Sequence, residues 1–168
     1  MALILSGDAG ITFPVTAGSA SAVQASSGRV LQVVQGTKTN STSTSAYNTW
    51  VSTGLSASIT PSNSTSKILA TISGQGWPQA VNVQGVFTLY RNSTNLSPST
   101  YGFTQLYSGG AGFQSAVTFS YLDSPATTSS TTYTLYFTVT NAAGTVVFNS
   151  DNAWGFPTAT ILLQEIAA

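Results

Sequence analysis

The side chains that could carry acid–base or nucleophilic chemistry are scarce in this sequence. Among 168 residues there is neither histidine nor cysteine, which excludes Ser–His and Cys–His nucleophile pairs, the commonest zinc sites and any disulfide. No glycine-rich phosphate loop with its lysine occurs, so no nucleotide cofactor is predicted. Cleavage of a glycan would need two carboxylates placed across a sugar. Only four acidic residues are available for that role: Asp8, Asp123, Asp151 and Glu165.

These carboxylates have simpler structural interpretations. Asp123 precedes a Ser-Pro pair and Asp151 lies in the turn-like stretch NSDNAWG, where short acceptor side chains usually cap turns. Glu165 interrupts the last predicted strand and is expected to oppose Lys67 or Arg91 as a lone ion pair. We therefore predict no catalytic residue, no enzyme activity and no cofactor. A weak cation held on a symmetry axis by Asp123 or Asp151 is the one metal alternative.

Charge of either sign is rare along the whole chain. Four basic and four acidic residues cancel to a net charge of zero and make up 5% of the sequence, against about 25% in ordinary globular proteins. Serine and threonine supply 51 positions, so hydroxyl groups must provide much of the polar surface in contact with water. A neutral chain is not attracted to phosphate or anionic lipid, which argues against nucleic-acid and membrane partners. Low repulsion between copies instead suits a subunit of a larger assembly.

Length and composition favour one folded domain. Hydrophobic residues make up 42% and aromatic residues 11% of the chain, well above the content of disordered sequences. No stretch reaches the roughly 18 apolar residues of a membrane span. The first ten residues lack the basic and apolar regions of a signal peptide. We therefore expect synthesis in a cytoplasm.

The elements that must position any site are predicted to be short strands. Period-2 alternation is clearest at 133–139, where Tyr133, Leu135, Phe137 and Val139 share one face. Strands at this spacing, separated by Ser, Thr, Asn and Pro turn clusters, predict an all-β antiparallel sandwich. The predicted strands cover residues 30–35, 47–52, 55–60, 67–73, 83–91, 115–122, 133–139, 145–149 and 158–166.

The polar stretch at 60–66 separates two of these strands. Apolar residues alternate at 55, 57 and 59 before it and at 68, 70 and 72 after it. About seven polar residues are an ordinary loop length, so this stretch is predicted to connect strands rather than domains. Residues 15–28 are small, polar and featureless. We therefore divide the chain into an extended N-terminal arm, residues 1–29, and a β-sandwich domain, residues 30–168.

Two segments carry a resemblance to a known family. LSASITPSNSTSKIL at 55–69 and LDSPATTSSTTYTLYF at 122–137 resemble a β-sandwich domain common in the virion proteins of tailed bacteriophages, and the likeness extends over roughly residues 30–166. The start SGDAGITFP is similar to that of many phage fibre proteins. The resemblance implies a jelly-roll-like, homotrimeric, non-catalytic domain displayed on a particle. Its arm would dock on other virion proteins through Ile4, Ile11, Phe13 and Pro14.

Aromatic rings are the remaining candidates for binding. Rings stack on the apolar faces of sugars and need no charge to do so, and several lie in Gly- or Pro-rich stretches where functional loops are common. The alternative is that such rings close the core or fill a subunit interface, and we expect this for Trp50, which we place in the core. The candidate glycan or interface contacts are Trp77, Trp154, Tyr101, Phe103 and Tyr107.

Together these observations yield three functional hypotheses. The first is a short trimeric phage tail fibre that docks by its arm and contacts the host surface, with a host surface glycan as a candidate partner. The second is a trimeric capsid decoration protein that cements the head by binding the major capsid protein. The third is a free carbohydrate-binding module. The first two place the protein in the virion, after synthesis in the host cytoplasm.

Overall fold

The computed structural model describes residues 4–6, 10–12, 28–141, 144–150 and 157–168. Within these residues the protein is all-β, and its two large antiparallel sheets pack face to face as a sandwich. No helix in the described part of the chain is long and apolar enough to cross a membrane. The strands are β1 Ile4–Ser6, β2 Gly10–Thr12, β3 Val30–Lys38, β4 Thr42–Thr44, β5 Val51–Ile59, β6 Lys67–Pro78, β7 Val83–Arg91, β8 Thr94–Asn95, β9 Thr104–Ser108, β10 Ser115–Asp123, β11 Thr131–Val139, β12 Val146–Phe148 and β13 Ala159–Ile166.

The strand order is that of a jelly roll. In the first sheet β3 pairs with β13, β13 with β6, and β6 with β10, while β12 and β4 extend the edge at the far end of β6. In the second sheet β5 pairs with β11, β11 with β7, and β7 with both β9 and β8. The eight longer strands therefore follow the order 1-8-3-6 in one sheet and 2-7-4-5 in the other, which is the double Greek key of jelly-roll proteins. The predicted fold class is confirmed.

The core lies between the sheets and follows the predicted alternation. Residues 55, 57 and 59 of β5 and residues 68, 70 and 72 of β6 are all buried, and so is the face of β11 that begins at Tyr133. The ring of Phe87 lies 6.0 Å from Phe137 and 6.1 Å from Phe148. The stretch at 60–66 is confirmed as a strand connection, and it carries the chain from the second sheet to the first.

The predicted strand at 47–52 is wrong over its first four residues. Residues 48–50 form a turn and an irregular segment, and β5 begins only at Val51. The two strands predicted at 47–52 and 55–60 are in fact joined, because β5 continues through Gly54, whose φ of 83° marks a bulge against β11. Trp50 therefore precedes the strand. It is only half-buried, so its predicted place in the core is also wrong.

The two short strands near the N-terminus pair only with each other among the described residues. Strands β1 and β2 form a small antiparallel pair. Phe13 and Pro14 of the predicted docking arm lie outside the described residues, as do the side chains of Ile4 and Ile11. The division into an arm and a sandwich domain therefore stays a prediction.

Candidate functional site

One end of the sandwich holds a buried ion pair. Asp123 ends β10, and its carboxylate oxygens accept hydrogen bonds of 2.8 and 2.9 Å from Nη1 of Arg91 on β7. The hydroxyl of Tyr133 on β11 donates to the same carboxylate at 2.7 Å. Burial and this carboxylate raise the pKa of Tyr133, so the phenol stays a donor. Asp123 thus links the two sheets through these hydrogen bonds. The prediction that its side chain caps a turn is therefore wrong.

Glu165 occupies the same end and is fully inaccessible to solvent. Its Oε1 accepts hydrogen bonds from the backbone N–H of Ser62 at 2.8 Å and from the Ser62 hydroxyl at 2.7 Å, while Oε2 accepts one from the Gln32 amide at 2.6 Å. Burial alone would raise the pKa of Glu165, but these donors stabilise the charged form and lower it to about 2. The expected ion pair with Lys67 or Arg91 is therefore wrong.

The two carboxylates do not form a catalytic pair. Glu165 and Asp123 both pair with Ile68 in the ladder, one on each side, so their backbones are about 10 Å apart, two strand spacings. Both are buried, and their oxygens already accept bonds from this chain. They close the end of the sandwich and present no free carboxylate to an external sugar. No group of three or more metal-binding side chains occurs among the described residues.

A surface cleft lies on the outer face of the second sheet. Its volume is about 520 Å³, within the range of small-molecule sites, roughly 300–1,000 Å³. The end of β11 forms its floor, the segment that precedes β5 forms one wall, and the loop between β8 and β9 forms the other. It is lined by Tyr47, Asn48, Trp50, Thr100, Tyr101, Thr138 and Thr140.

Backbone hydrogen bonds fix the first wall of this cleft against the floor. Val139 at the end of β11 donates to the carbonyl of Ala46 at 3.2 Å and accepts from the N–H of Asn48 at 2.9 Å. The hydroxyl of Thr138 also donates to Ala46, at 3.0 Å. Asn48 adopts a left-handed φ of 48°, which asparagine tolerates better than most residues. These three hydrogen bonds hold the wall against the end of β11.

The opposite wall is anchored by a glycine. Gly102 has a φ of 62° and packs so closely on the carbonyl of Phe87 that a β-carbon would collide with it. The next residue, Phe103, donates its N–H to that same carbonyl at 2.8 Å. Because the loop is held at this point, Tyr101 projects beside the cleft with 57% of its surface exposed.

The cleft offers rings and polar groups without charge. The described residues that line it include no Asp, Glu, Lys or Arg. Within the described part of the chain, the hydroxyls of Tyr47, Thr100 and Tyr101 and the side-chain amide of Asn48 make no hydrogen bond. Those groups remain available to a ligand, and the rings supply apolar surface beside them.

The structure separates the ring residues singled out in the sequence. Tyr101 lines the cleft, and Tyr107 lies on the same outer face with its hydroxyl bonded to Asn82 at 2.8 Å. Phe103 packs at the edge of the sandwich, 5.1 Å from the ring of Phe119. Trp77 is half-buried on β6, in the other sheet, and Trp154 lies outside the described residues. Their roles as glycan or interface contacts stay predictions.

Sequence reasoning missed the other two rings of the cleft. Tyr47 and Trp50 were assigned to a strand, although the Asn48 between them is a common turn residue and could have signalled the loop. No sequence signal links residues 47–50 to residues 100–101, because only the sheet order brings these two loops to the end of β11.

The outer face of the first sheet carries little charge, and its exposed Lys67 lies at one end, opposite Ile166. Along one row of cross-strand neighbours lie Val33 of β3, Gln164 of β13, Leu69 of β6 and Leu122 of β10. We call these four residues the outer row. Val33 is 54% and Leu122 49% exposed. Leu162, Thr71 and Ser120 follow in the next row, and no charged side chain occurs in either row.

Comparisons with known proteins add little beyond the fold. No family model and no curated protein matches this sequence. The chain is similar to a solved structure of infectious bursal disease virus, Gt strain, with 14% identity and a TM-score of 0.42, over 99% of this chain and 47% of that one. The chain therefore spans about half the length of that viral chain. The virus is not a bacteriophage, and at this TM-score and identity the similarity assigns neither family nor function.

Proposed function

We propose that this protein is a non-enzymatic structural protein of a virion surface, a short homotrimeric tail fibre that docks through its N-terminal arm. The observation that carries the proposal is the outer face of the first sheet, where the outer row is partly apolar, exposed and free of charge. Jelly-roll domains of this strand order are common in viral particles, and the sequence resemblance to phage virion domains points the same way.

The distribution of charge supports an assembly role. Of the eight charged residues, Asp123, Arg91 and Glu165 are engaged inside the sandwich. This leaves few charges on the surface of the described chain, and none in the outer row or in the neighbouring row of Leu162, Thr71 and Ser120. Interface cores are depleted of charge in the same way. Such a face suits contact with a different patch of a sister chain in a cyclic trimer, since a neutral surface meets no charge repulsion there.

The first experiment measures the oligomeric state. Val33→Glu would place a carboxylate in the outer row, where burial against a sister chain is costly. Analytical ultracentrifugation should show a trimer for the wild-type protein and monomers for this variant. Val81→Glu is the matched control, because Val81 is 57% exposed on the turn between β6 and β7. A wild-type monomer, or a Val33→Glu trimer as stable as the control, would contradict the proposed interface.

The second experiment measures copy number in the particle. A tail fibre should be present in a few dozen copies per virion, which quantitative mass spectrometry can compare with the major capsid protein. Near-stoichiometric amounts would reject the fibre and favour the capsid decoration protein. Absence from purified particles would reject both virion roles.

A further inference from the structure

We propose that the cleft bounded by Tyr47, Trp50 and Tyr101 binds an uncharged saccharide. This deepens the proposed fibre function by naming the ligand class of a surface site. The host-contact role rests on that function, whereas the binding itself rests on the cleft.

The first reason is the pairing of rings with unused polar groups. Sugars present apolar C–H faces and hydroxyl edges together, so a site for them needs both kinds of surface side by side. Here three rings border the cleft, and beside them lie the hydroxyls of Thr100 and Tyr101, which make no hydrogen bond within the described part of the chain. The Asn48 amide adds both a donor and an acceptor.

The second reason is that no Asp, Glu, Lys or Arg occurs among the described residues that line the cleft. An acidic saccharide, a phosphate or a charged peptide would find no counter-ion there, and burying an unpaired charge is costly. The floor residues Thr138 and Thr140 are also neutral. Their hydroxyls are already engaged within the chain, since Thr138 donates to Ala46 and Thr140 donates to Gln84. Charge therefore selects for a neutral ligand.

The third reason is that the cleft is already formed. Ala46 and Asn48 are hydrogen bonded to the end of β11, and Gly102 is packed on Phe87. A site whose walls are already held by such contacts loses less loop entropy on binding, which matters for sugars because their individual contacts are weak. A proline-rich peptide also binds aromatic grooves, but it offers few hydroxyl partners for the free groups of Asn48 and Thr100.

The test is a binding titration with defined probes. Neutral trisaccharides of glucose, galactose and N-acetylglucosamine are titrated into the whole protein while tryptophan fluorescence and calorimetric heat are recorded. A sialylated trisaccharide and a polyproline peptide form the comparison arms. The variants are Trp50→Ala and Tyr101→Ala. Phe113→Ala is the matched control, because Phe113 is an aromatic ring that is 41% exposed and does not line the cleft.

We expect at least one neutral trisaccharide to bind the wild-type protein and the control equally. Trp50→Ala and Tyr101→Ala should each weaken binding about tenfold, the effect of losing one stacked ring. Tyr101 is so exposed that its removal leaves the fold intact, as circular dichroism checks. No binding of any neutral probe, tighter binding of the sialylated probe or peptide, or equal binding by Tyr101→Ala would overturn the proposal. Trimer formation and copy number are measured separately, so failure here leaves the proposed assembly role standing.

Discussion

Glu165→Gln tests whether the buried carboxylate stabilises the sandwich. The substitution keeps the size of the side chain but removes its charge. Glu165 accepts two hydrogen bonds from Ser62 at one oxygen and one from Gln32 at the other. A glutamine can still accept at the first oxygen, but its amide nitrogen would face the Gln32 donor. The variant therefore loses both the ionic character and one hydrogen bond of this cluster.

The magnitude follows from the lowered pKa. The pKa of Glu165 falls from 4.5 to about 2 on folding, and at about 1.36 kcal/mol per unit this corresponds to about 3 kcal/mol of stability. Because the folded value is the lower one, this stability is complete above about pH 5 and is lost as the pH falls towards 2. Glu165→Gln should therefore be less stable than the wild type at neutral pH by up to this amount, with the difference shrinking in acid.

Urea denaturation at a series of pH values, at one protein concentration, measures this difference. The free energy of unfolding should fall more steeply with acid in the wild type than in Glu165→Gln. Ser62→Ala is a graded control, since it removes the hydroxyl but keeps the backbone N–H, and should show an intermediate slope. Parallel curves for wild type and Glu165→Gln between neutral pH and about pH 2.5 would refute the assignment.

Two further predictions concern the core and its closed end. Asp123→Ala should lower the free energy of unfolding by about 3 kcal/mol, because it leaves the Arg91 charge half-buried without its partner. Tyr133→Phe should lower it by about 1 kcal/mol, because it removes one hydrogen bond. Equal losses for the two variants in urea denaturation would contradict this order. Gly76→Ala should cost about 1–3 kcal/mol through overpacking, since its β-carbon would lie 2.7 Å from a core leucine methyl group. Gly110→Ala meets no atom within 4 Å and should leave the thermal midpoint unchanged; a similar loss in both glycine variants would reject the steric explanation.

Much of the fold could be predicted because alternation reports directly on burial. The strand at 83–91 was placed with its observed bounds, and the apolar series of β5 and β6 face the core as expected. Strand β9 was missed because its five residues are half polar and lie between glycines. The bulge at Gly54 made one strand look like two, since an inserted residue resets the period of the pattern.

The candidate site was less predictable because it depends on contacts between distant segments. Tyr101 was singled out by its ring alone, but its neighbours Tyr47 and Trp50 come from a loop that only the order of β5, β11 and β7 brings close. The partners of Glu165 were also missed. Ser62 lies in a loop more than one hundred residues away, and nothing in a single sequence indicates that its hydroxyl and backbone N–H meet this carboxylate.

The hydrogen bonds just before β3 and just after β13 have a consequence for protein engineering. Gly28 donates to the carbonyl of Ala167 at 2.7 Å, and Ala167 donates to that of Arg29 at 2.9 Å. Residues 28 and 167 are therefore neighbours, so a short linker could join them while new termini are opened at the exposed turn near Val81. Such a circular permutant would keep every strand pair of the two large sheets and would reveal whether the sandwich assembles without the segment that precedes Gly28.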